Sequence, residues 1–483
     1  MNRLIVGPFN RVEGDLEVHL DVADGRVRQA RVNAPMYRGF EQILQGKHPL
    51  DALVYVPRIC GICSITQSVA AARALAAACN VSAPPNGQHL INLMLACENA
   101  ADHLTHFYLF FMPDFTRSVY AGRPWHAQAL QRFANGTGEH AREAIAVRQR
   151  WFHIMGTLGG KWPHTQSILP GGSTRNLSAT ERYRLGARVA EMRSFLERVL
   201  LACPLEEVLA LPDEAALANW HGQHPTGGDL RLFLTMAGDL SLDALGCGPA
   251  LTLSYGAFAQ PEGGFTMTPG VWDGLTLQDV NLAQITEDAC HAWLSDDGAP
   301  RAPAQGLTQA DSGKPGAYTW CKAPRLAGQV LETGALARQL ADGQPLIRAL
   351  WQRSGGNVLT RVLARMLELA RLVLLTEHTL RAIAPDAPSC VNAQVPQHVD
   401  AYGLCEAARG SLGHWLSIRD GRIANYQIIA PTTWNFSPRD RSGVPGALEA
   451  ALVGAPVADG DKTPVSVQHI VRSFDPCMVC TVH

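Results

Sequence analysis

Arg58-Ile59-Cys60-Gly61-Ile62-Cys63, near the start of the chain, is answered at its end by Asp475-Pro476-Cys477-Met478-Val479-Cys480. Each stretch is a CxxC, a spacing that lets two thiolates face one soft metal ion, and the two pairs together make an S4 donor set. If they share one site, the fold must join segments more than four hundred residues apart. Three other readings compete: structural zinc, the commonest S4 site; a redox dithiol; and core cysteines that ligate nothing. A zinc ribbon draws its pairs from neighbouring hairpins, and a thioredoxin-like dithiol wants a single CxxC opening a helix in a small βαβ unit. Neither context surrounds these pairs.

Outward from the first pair, Leu4 to Asn33 reads as paired strands, because Leu16 to Leu20 alternates and Asp24-Gly25 supplies a tight turn. A second hairpin reads at His414 to Ile418, Asp420-Gly421 and Arg422 to Ile429. Between them, apolar spacing of three and four predicts helices over Leu90 to Phe111, Arg182 to Leu201, Leu336 to Leu340 and Leu346 to Ile383. Segments rich in Gly and Pro near Pro170 to Ser173, Gly246 to Gly264 and Ser295 to Gly316 read as loops. The expected fold class is α+β over residues 1–483 as a single domain, with a large helical-bundle core and small peripheral sheets from the N- and C-terminal regions.

Composition narrows the partners. Apolar residues make up 47% of the chain and charged ones 17%, which implies a thick interior and suits a lasting partner subunit. With 41 basic and 43 acidic residues there is no electrostatic footprint for nucleic acid or an anionic membrane. The start lacks the pattern of an export signal and no run of 18 apolar residues occurs, so a cytoplasmic protein with no membrane span is expected. Twelve cysteines in such a chain argue for thiols and metal ligation over disulfides.

The two cysteine stretches resemble the signature motifs of nickel-iron hydrogenase large subunits. The likeness extends through Asn10-Arg11-Val12-Glu13-Gly14, Tyr37-Arg38-Gly39-Phe40-Glu41, Asp102-His103-Leu104, Glu406 to Gly410 and Pro431 to Pro438, in the family's order. It implies that Cys60, Cys63, Cys477 and Cys480 bind nickel, with Cys63 and Cys480 bridging to an iron that carries two cyanides and one carbon monoxide. Ala408, Arg409, Pro431 and Thr432 match the pocket for those ligands. A guanidinium and a hydroxyl are donors suited to a cyanide nitrogen. Asp102 and Asp475 match the carboxylates that flank the arginine, and a buried guanidinium needs such partners. Glu13 matches the carboxylate that carries protons away, and the terminal thiolate of Cys477 is a suitable first base. Glu41, the backbone carbonyl of Ile428 and the terminal His483 match the ligands of magnesium or a similar hard ion.

Within that family the resemblance is closest to the regulatory, hydrogen-sensing, oxygen-insensitive members. Ile62 and Phe110 stand where many catalytic members carry smaller residues beside the gas passage, and Gln67 replaces a titratable histidine. Ala408 stands where many members have proline. The chain also stops at His483, without the extension that catalytic members are made with. A sensor of low turnover is the reading taken, signalling through its small subunit to a histidine kinase or similar partner. The alternative is a catalytic uptake hydrogenase feeding electrons into respiration. A subunit related to the quinone-binding core of respiratory complex I is disfavoured, since such relatives lack the cysteine ligands. The other eight cysteines are scattered, so iron-sulfur clusters are expected in a small subunit, the pair forming a heterodimer or a dimer of heterodimers.

Overall fold

In the computed structural model, residues 2–483 are described. Strands β1 (Asn2–Val6), β2 (Glu17–Ala23) and β3 (Arg26–Asn33) form an antiparallel sheet in that order. Asp24 and Gly25 both take positive φ, 54° and 68°, the type I′ geometry that Asp-Gly favours. Alternation along β2 and β3 buries Val18, Leu20, Val27, Ala30 and Val32.

Helix α1 (Ser64–Cys79) starts directly after Cys63 and is buried on nearly every side, which its run of alanines permits. Glu98 on helix α2 (Pro85–Thr105) sits at its first turn, accepting from the amides of Ile65 at 2.8 Å and Thr66 at 3.0 Å. A carboxylate there satisfies two amides that a helix start leaves unpaired and opposes the dipole's positive end, which anchors the Cys63 side of the loop. The predicted helix over Leu90 to Phe111 continues beyond α2 as a π-helical stretch, His106–Phe111, just past Asp102. Arg182 to Leu201 behaves alike, with α3 (Ala179–Phe195) followed by wider turns over Leu196–Leu201.

The middle of the chain holds more strand than its sequence suggested. Within the Gly246 to Gly264 region lies β4 (Leu251–Ser254), which joins β5 (Gly270–Trp272), β6 (Leu277–Gln278) and β7 (Leu331–Thr333) in the order β6-β5-β4-β7. Pro170 to Ser173 likewise holds a turn, Pro170-Gly171, and the short strand Gly172–Ser173, which pairs with Ile168–Leu169. Strands this short carry too few alternations to register as a period. Helix α4 (Ala335–Ala341) lies where it was expected. Leu346 to Ile383 is two helices rather than one, α5 (Pro345–Ser354) and α6 (Val358–Ala382), interrupted at Gly355-Gly356. Asn357 restarts the chain by accepting from Thr360 N at 3.0 Å while donating its own amide to Thr360 Oγ1 at 2.9 Å. α6 packs along α2 at the centre of the bundle.

The late hairpin belongs to a three-stranded sheet, β8 (Val399–Ala407), β9 (Gly410–Arg419) and β10 (Arg422–Ile429). β8 lies against α1 so closely that a Cβ on Gly403 would meet Ala70 O at 2.2 Å and Ala74 N at 2.3 Å, so only glycine permits this contact. Helices α7 (Pro431–Asn435), α8 (Ala447–Leu452) and α9 (Val465–Ser473) follow. Glu449 of α8 joins the two ends of the chain by accepting from Val32 N at 3.0 Å and Tyr318 OH at 2.8 Å.

Burial lifts the Glu449 carboxyl to about 7, against the pull of Tyr318, Val32 and Arg439. The folded chain therefore holds this proton more tightly than the unfolded chain, and the group's contribution to stability falls as pH rises through 7. Between pH 6 and 8 the loss is on the order of 1 kcal/mol. Glu449→Gln keeps an acceptor for Val32 and carries no charge. Its melting temperature should fall less between those two pH values than the parent's, and parallel slopes in thermal melts would show that Glu449 does not titrate there.

Candidate metal centre

The four cysteines singled out in the sequence meet. Sγ of Cys60 lies 3.4 Å from that of Cys477, Cys63 is 3.1 Å from Cys480, and Cys477 is 2.7 Å from Cys480. All four sulfurs fall within 4.8 Å of one another, and all four residues are buried and unoxidised. These gaps exceed a disulfide bond of about 2.05 Å. Ionisation divides the set. Burial opposes the Cys60 thiolate, yet hydrogen bonds from Cys477, Cys480 and Cys63, with Arg409 nearby, bring it well below its usual range. Hydrogen bonds with Cys477, Cys480 and Cys60 push Cys63 up, whereas burial is the main cause of the rise at Cys477 and Cys480. Four thiolates in so dry a space need cations among them, so the donor set fits a thiophilic metal centre.

Arg38, quoted in the sequence only as part of a motif, binds the two cysteine loops to each other. Its Nη2 donates to the carbonyls of Ile59 and Val479, 2.5 Å each, one residue before Cys60 and one before Cys480. Glu13 runs beside the second loop, its amide reaching Pro476 O at 3.4 Å and its carbonyl accepting from Met478 N at 2.7 Å. This approach depends on Gly14, at φ +79°, where a Cβ would come within 2.9 Å of Val479 Cγ1. Glu13 is half-buried, and its carboxyl is raised by burial and by the charge of Cys60, against Arg409 and Arg38.

Arg409, which follows two alanines as an exposed helical arginine could, is buried in the tight connection between β8 and β9. Its Nη1 and Nη2 grip Asp102 at 2.5 and 3.1 Å, Nη2 also reaches Asp475 Oδ1 at 3.1 Å, and Nε donates to Asp475 O at 3.0 Å. Four of the five N–H groups of a guanidinium are thereby taken, which leaves one on Nη1 for a ligand. Asp475 sits at φ +56°, so it is not the helix cap that a following Pro476 could suggest. Burial, opposed by Arg409 and reinforced by Asp475 and Cys60, lifts Asp102 to about 8. For Asp475, burial is outweighed by Arg409 and His106, and its carboxyl is lowered. Thr432 Oγ1 accepts from Cys477 N at 3.1 Å, so its own hydrogen is free to donate. Pro431 opens α7 beside it. Ala408 is buried, and its carbonyl accepts from Arg338 Nη2 at 2.9 Å.

Arg338 is a residue the sequence did not single out. It also donates to Ala407 O at 2.7 Å and is held by Glu406 at 2.7 Å and Glu368 at 2.5 Å. Glu368 in turn meets His103 Nε2 at 2.9 Å. The network supports the Arg409 turn from behind. His103 and Glu406 fall within the quoted motifs, whereas the only sequence signal of Arg338 and Glu368 is charge on helices otherwise apolar enough to be core.

Glu41 and His483 also come together, with His483 Nε2 at 3.1 Å from Glu41 Oε1 and His483 Nδ1 at 2.8 Å from Cys480 O. Ile428 reaches the same spot, its amide donating to Glu41 Oε1 at 2.8 Å. Lys322 lies 3.5 Å from Glu41 and 3.3 Å from Glu287. Although burial opposes ionisation, Lys322 and His483 hold Glu41 down at about 2. The buried Oε1 of Glu287 has no partner, and the enclosed space is about 10 Å³, room for one small particle. Oxygen donors around such a space fit a hard cation, with the His483–Glu41 hydrogen bond giving way to it.

Ile62 is half-buried, with its amide 3.3 Å from Cys60 Sγ. Phe110 is also half-buried, on the π-helical stretch, where its carbonyl accepts from Arg11 Nη1 at 3.1 Å. Gln67 Oε1 lies 2.9 Å from His414 Nε2, and His414 Nδ1 is 2.8 Å from Tyr426 OH. Burial, with His483 adding, brings His414 down to about 3, so this buried ring is neutral. Asp288, Cys290 and Asp296 form a second group with metal-binding spacing, but Arg441 reaches both carboxylates at 3.0 and 3.1 Å and Lys314 lies 3.9 Å from Asp296, so the two charges already have their counter-ions.

The chain matches the family described as nickel-dependent hydrogenase over residues 38–136 and 137–483. The periplasmic [NiFeSe] hydrogenase large subunit of Desulfomicrobium baculatum is 30% identical over all of this chain and 95% of its own length. The uptake hydrogenase large subunit of Afipia carboxidovorans is 27% identical over 100% and 95%. Among solved structures, a reduced, active form of the Ni-Fe-Se hydrogenase from Desulfomicrobium baculatum superposes with a TM-score of 0.86, at 29% identity and full coverage of both chains.

Metal analysis tests the centre. The purified protein should contain nickel and iron near one each; Cys60→Ser or Cys480→Ser should lose the nickel, and Arg38→Met should lower it several-fold with the cysteines intact. Stoichiometric zinc, without nickel and without infrared bands from diatomic ligands, would return the site to a structural role.

Proposed function

Because this chain belongs to the nickel-dependent hydrogenase family, and is an oxidoreductase of that class, we propose that it activates molecular hydrogen at a nickel-iron centre held by Cys60, Cys63, Cys477 and Cys480. The observation that carries this reading is the meeting of four buried, unoxidised thiols from opposite ends of the chain. When bound, the group, with two cyanides and one carbon monoxide on iron, supplies the polarisation and electron acceptance that heterolytic splitting needs. Cys63 and Cys480, together with Cys60 and Cys477, would hold both metals of the group.

The chain's own residues handle the proton and the dryness. Cys477 Sγ takes the proton first, and Glu13 carries it on, its carboxyl made a readier proton acceptor by burial and by the charge of Cys60. Arg409, braced by Asp102 and Asp475, would offer its free Nη1 hydrogen to a ligand nitrogen, and Thr432 Oγ1 would donate beside it. Ala408 and Pro431 fill the space between and exclude water. Glu41 and His483, with the carbonyl of Ile428, whose amide donates to Glu41, would hold magnesium or a similar ion. Electrons leave through an iron-sulfur small subunit, since among the described residues no second cysteine cluster forms. Glu13→Gln should keep its metals yet lose most hydrogen-deuterium exchange with solvent, because an amide cannot relay the proton. Undiminished exchange would remove Glu13 from the route.

Within the family we place the chain with the cytoplasmic, oxygen-insensitive hydrogen sensors that act through a histidine kinase or similar partner. The bulk of Ile62 beside Cys60, with Phe110, supports a narrowed gas route, and Gln67 supports an uncharged environment against His414. The uptake reading is favoured by a relative so named. Hydrogen turnover, set against the effect of a deletion on hydrogenase gene expression, separates the two: slow turnover with lost expression marks the sensor. Replacing Ile62 with Val and Phe110 with Leu removes a methylene and most of a ring, and dense packing does not wholly collapse into such gaps. The double variant should be inactivated by air during turnover while its anaerobic activity is little changed. Equal residual activity after a fixed oxygen exposure would rule out the narrowing.

A further inference from the structure

We propose that the cleft between the loop over residues 6–11 and helix α9 is a binding site for a small oxyanion of the phosphate or carboxylate class, built from Arg11, Arg117 and Arg472. It encloses about 370 Å³ and lies apart from the thiol cluster. Three guanidiniums face it, with one carboxylate, Asp114, among them.

Arg472 has a side chain only 1% exposed. Its Nη1 pairs with Asp114 Oδ2 at 2.5 Å, and Nη2 donates to the carbonyl and side-chain oxygen of Asn10 at 2.8 and 2.9 Å. Its buried Nε has no partner. Arg11 takes the other oxygen of Asp114, so that carboxylate is used up. Arg117 reaches only the carbonyl and hydroxyl of Thr463, at 3.3 and 3.2 Å. The count of charge is therefore three positive to one negative in a partly desolvated cleft.

Phe110 O, Asp114 and Asn10 occupy the outer nitrogens of Arg11 and Arg472, so these two supply the field and the spare Nε of Arg472, while Arg117 offers the open fork that matches the paired oxygens of phosphate or carboxylate. His469 registers the same field. Its Nε2 meets Tyr120 OH at 2.8 Å and its ring stacks on Phe115 at 4.5 Å. Burial lowers it to about 4 despite Asp114, with Arg472, Arg117 and Arg11 all adding to the shift. The imidazole stays neutral, so the site's charge comes from the three arginines. This inference does not rest on the hydrogen-activating role.

The test uses the purified protein with whatever subunit accompanies it, at constant ionic strength. Inorganic phosphate and malonate are titrated by calorimetry, with sodium chloride as control. Saturable binding of either should appear, at least tenfold weaker in Arg117→Gln and intermediate in Arg117→Lys, which keeps the charge but loses the fork. Thr463 is exposed, so Thr463→Asp should fold normally while placing a carboxylate beside Arg117, and it should block binding with every arginine present. The ratio of phosphate to malonate affinity assigns the class. No saturable binding above chloride, or binding unaltered in both Arg117→Gln and Thr463→Asp, overturns the site.

Discussion

Arg38 joins the two cysteine loops through one guanidinium, and the rest of the architecture is arranged so that this junction can form. Residues 60–63 leave a short helical turn and enter α1, whose start is anchored by Glu98 from α2. Residues 477–480 leave α9 and pair with the strand-like segment at Glu13. A loop closure of this length costs entropy that grows only slowly with chain length, so separation in sequence is a small obstacle once the bundle between the loops has packed.

Around the junction the interior is unusually rich in buried guanidinium. Arg409, Arg338 and Arg361 are all inaccessible, and each is matched to carboxylates from other elements: Asp102 and Asp475, Glu368 and Glu406, and Glu332. Arg361 also lies over the ring of Phe474 at 3.6 Å. Removing one partner from such a set strands a charge in a low dielectric, an expensive outcome. These pairs consequently fix how β8, α4, α6 and the final loop sit relative to one another. The pocket around the four thiols thereby gains walls with little freedom to move.

The C-terminus is held by the same logic. His483 is buried, bonded to Cys480 O and to Glu41, and Lys322 supplies positive charge to a cluster that would otherwise concentrate carboxylate. A terminus left mobile would carry Cys480 with it, three residues away. Holding His483 therefore also holds a sulfur.

The sequence by itself determined the two hairpins, because Asp24-Gly25 and Asp420-Gly421 specify their turns locally, and it determined the bundle, because apolar periods of three and four persist over long runs. It also marked the four cysteines, Glu13, Glu41, Asp102, Arg409, Asp475 and His483, through motifs whose residues act together. The break at Gly355-Gly356 stayed hidden since the apolar spacing runs through it, and the sheet β6-β5-β4-β7 stayed hidden since its strands are too short to show alternation. Tertiary structure alone decided what Arg38, Arg338, Glu98 and Lys322 do. Each is an ordinary charged residue in its local sequence, and its role comes from partners that only folding brings near: Val479 for Arg38, Ala408 for Arg338, the start of α1 for Glu98, Glu41 and Glu287 for Lys322. Periodicity and turn chemistry are properties of neighbouring residues, whereas pairing a buried charge depends on which distant chain segment faces it, and that is set by packing.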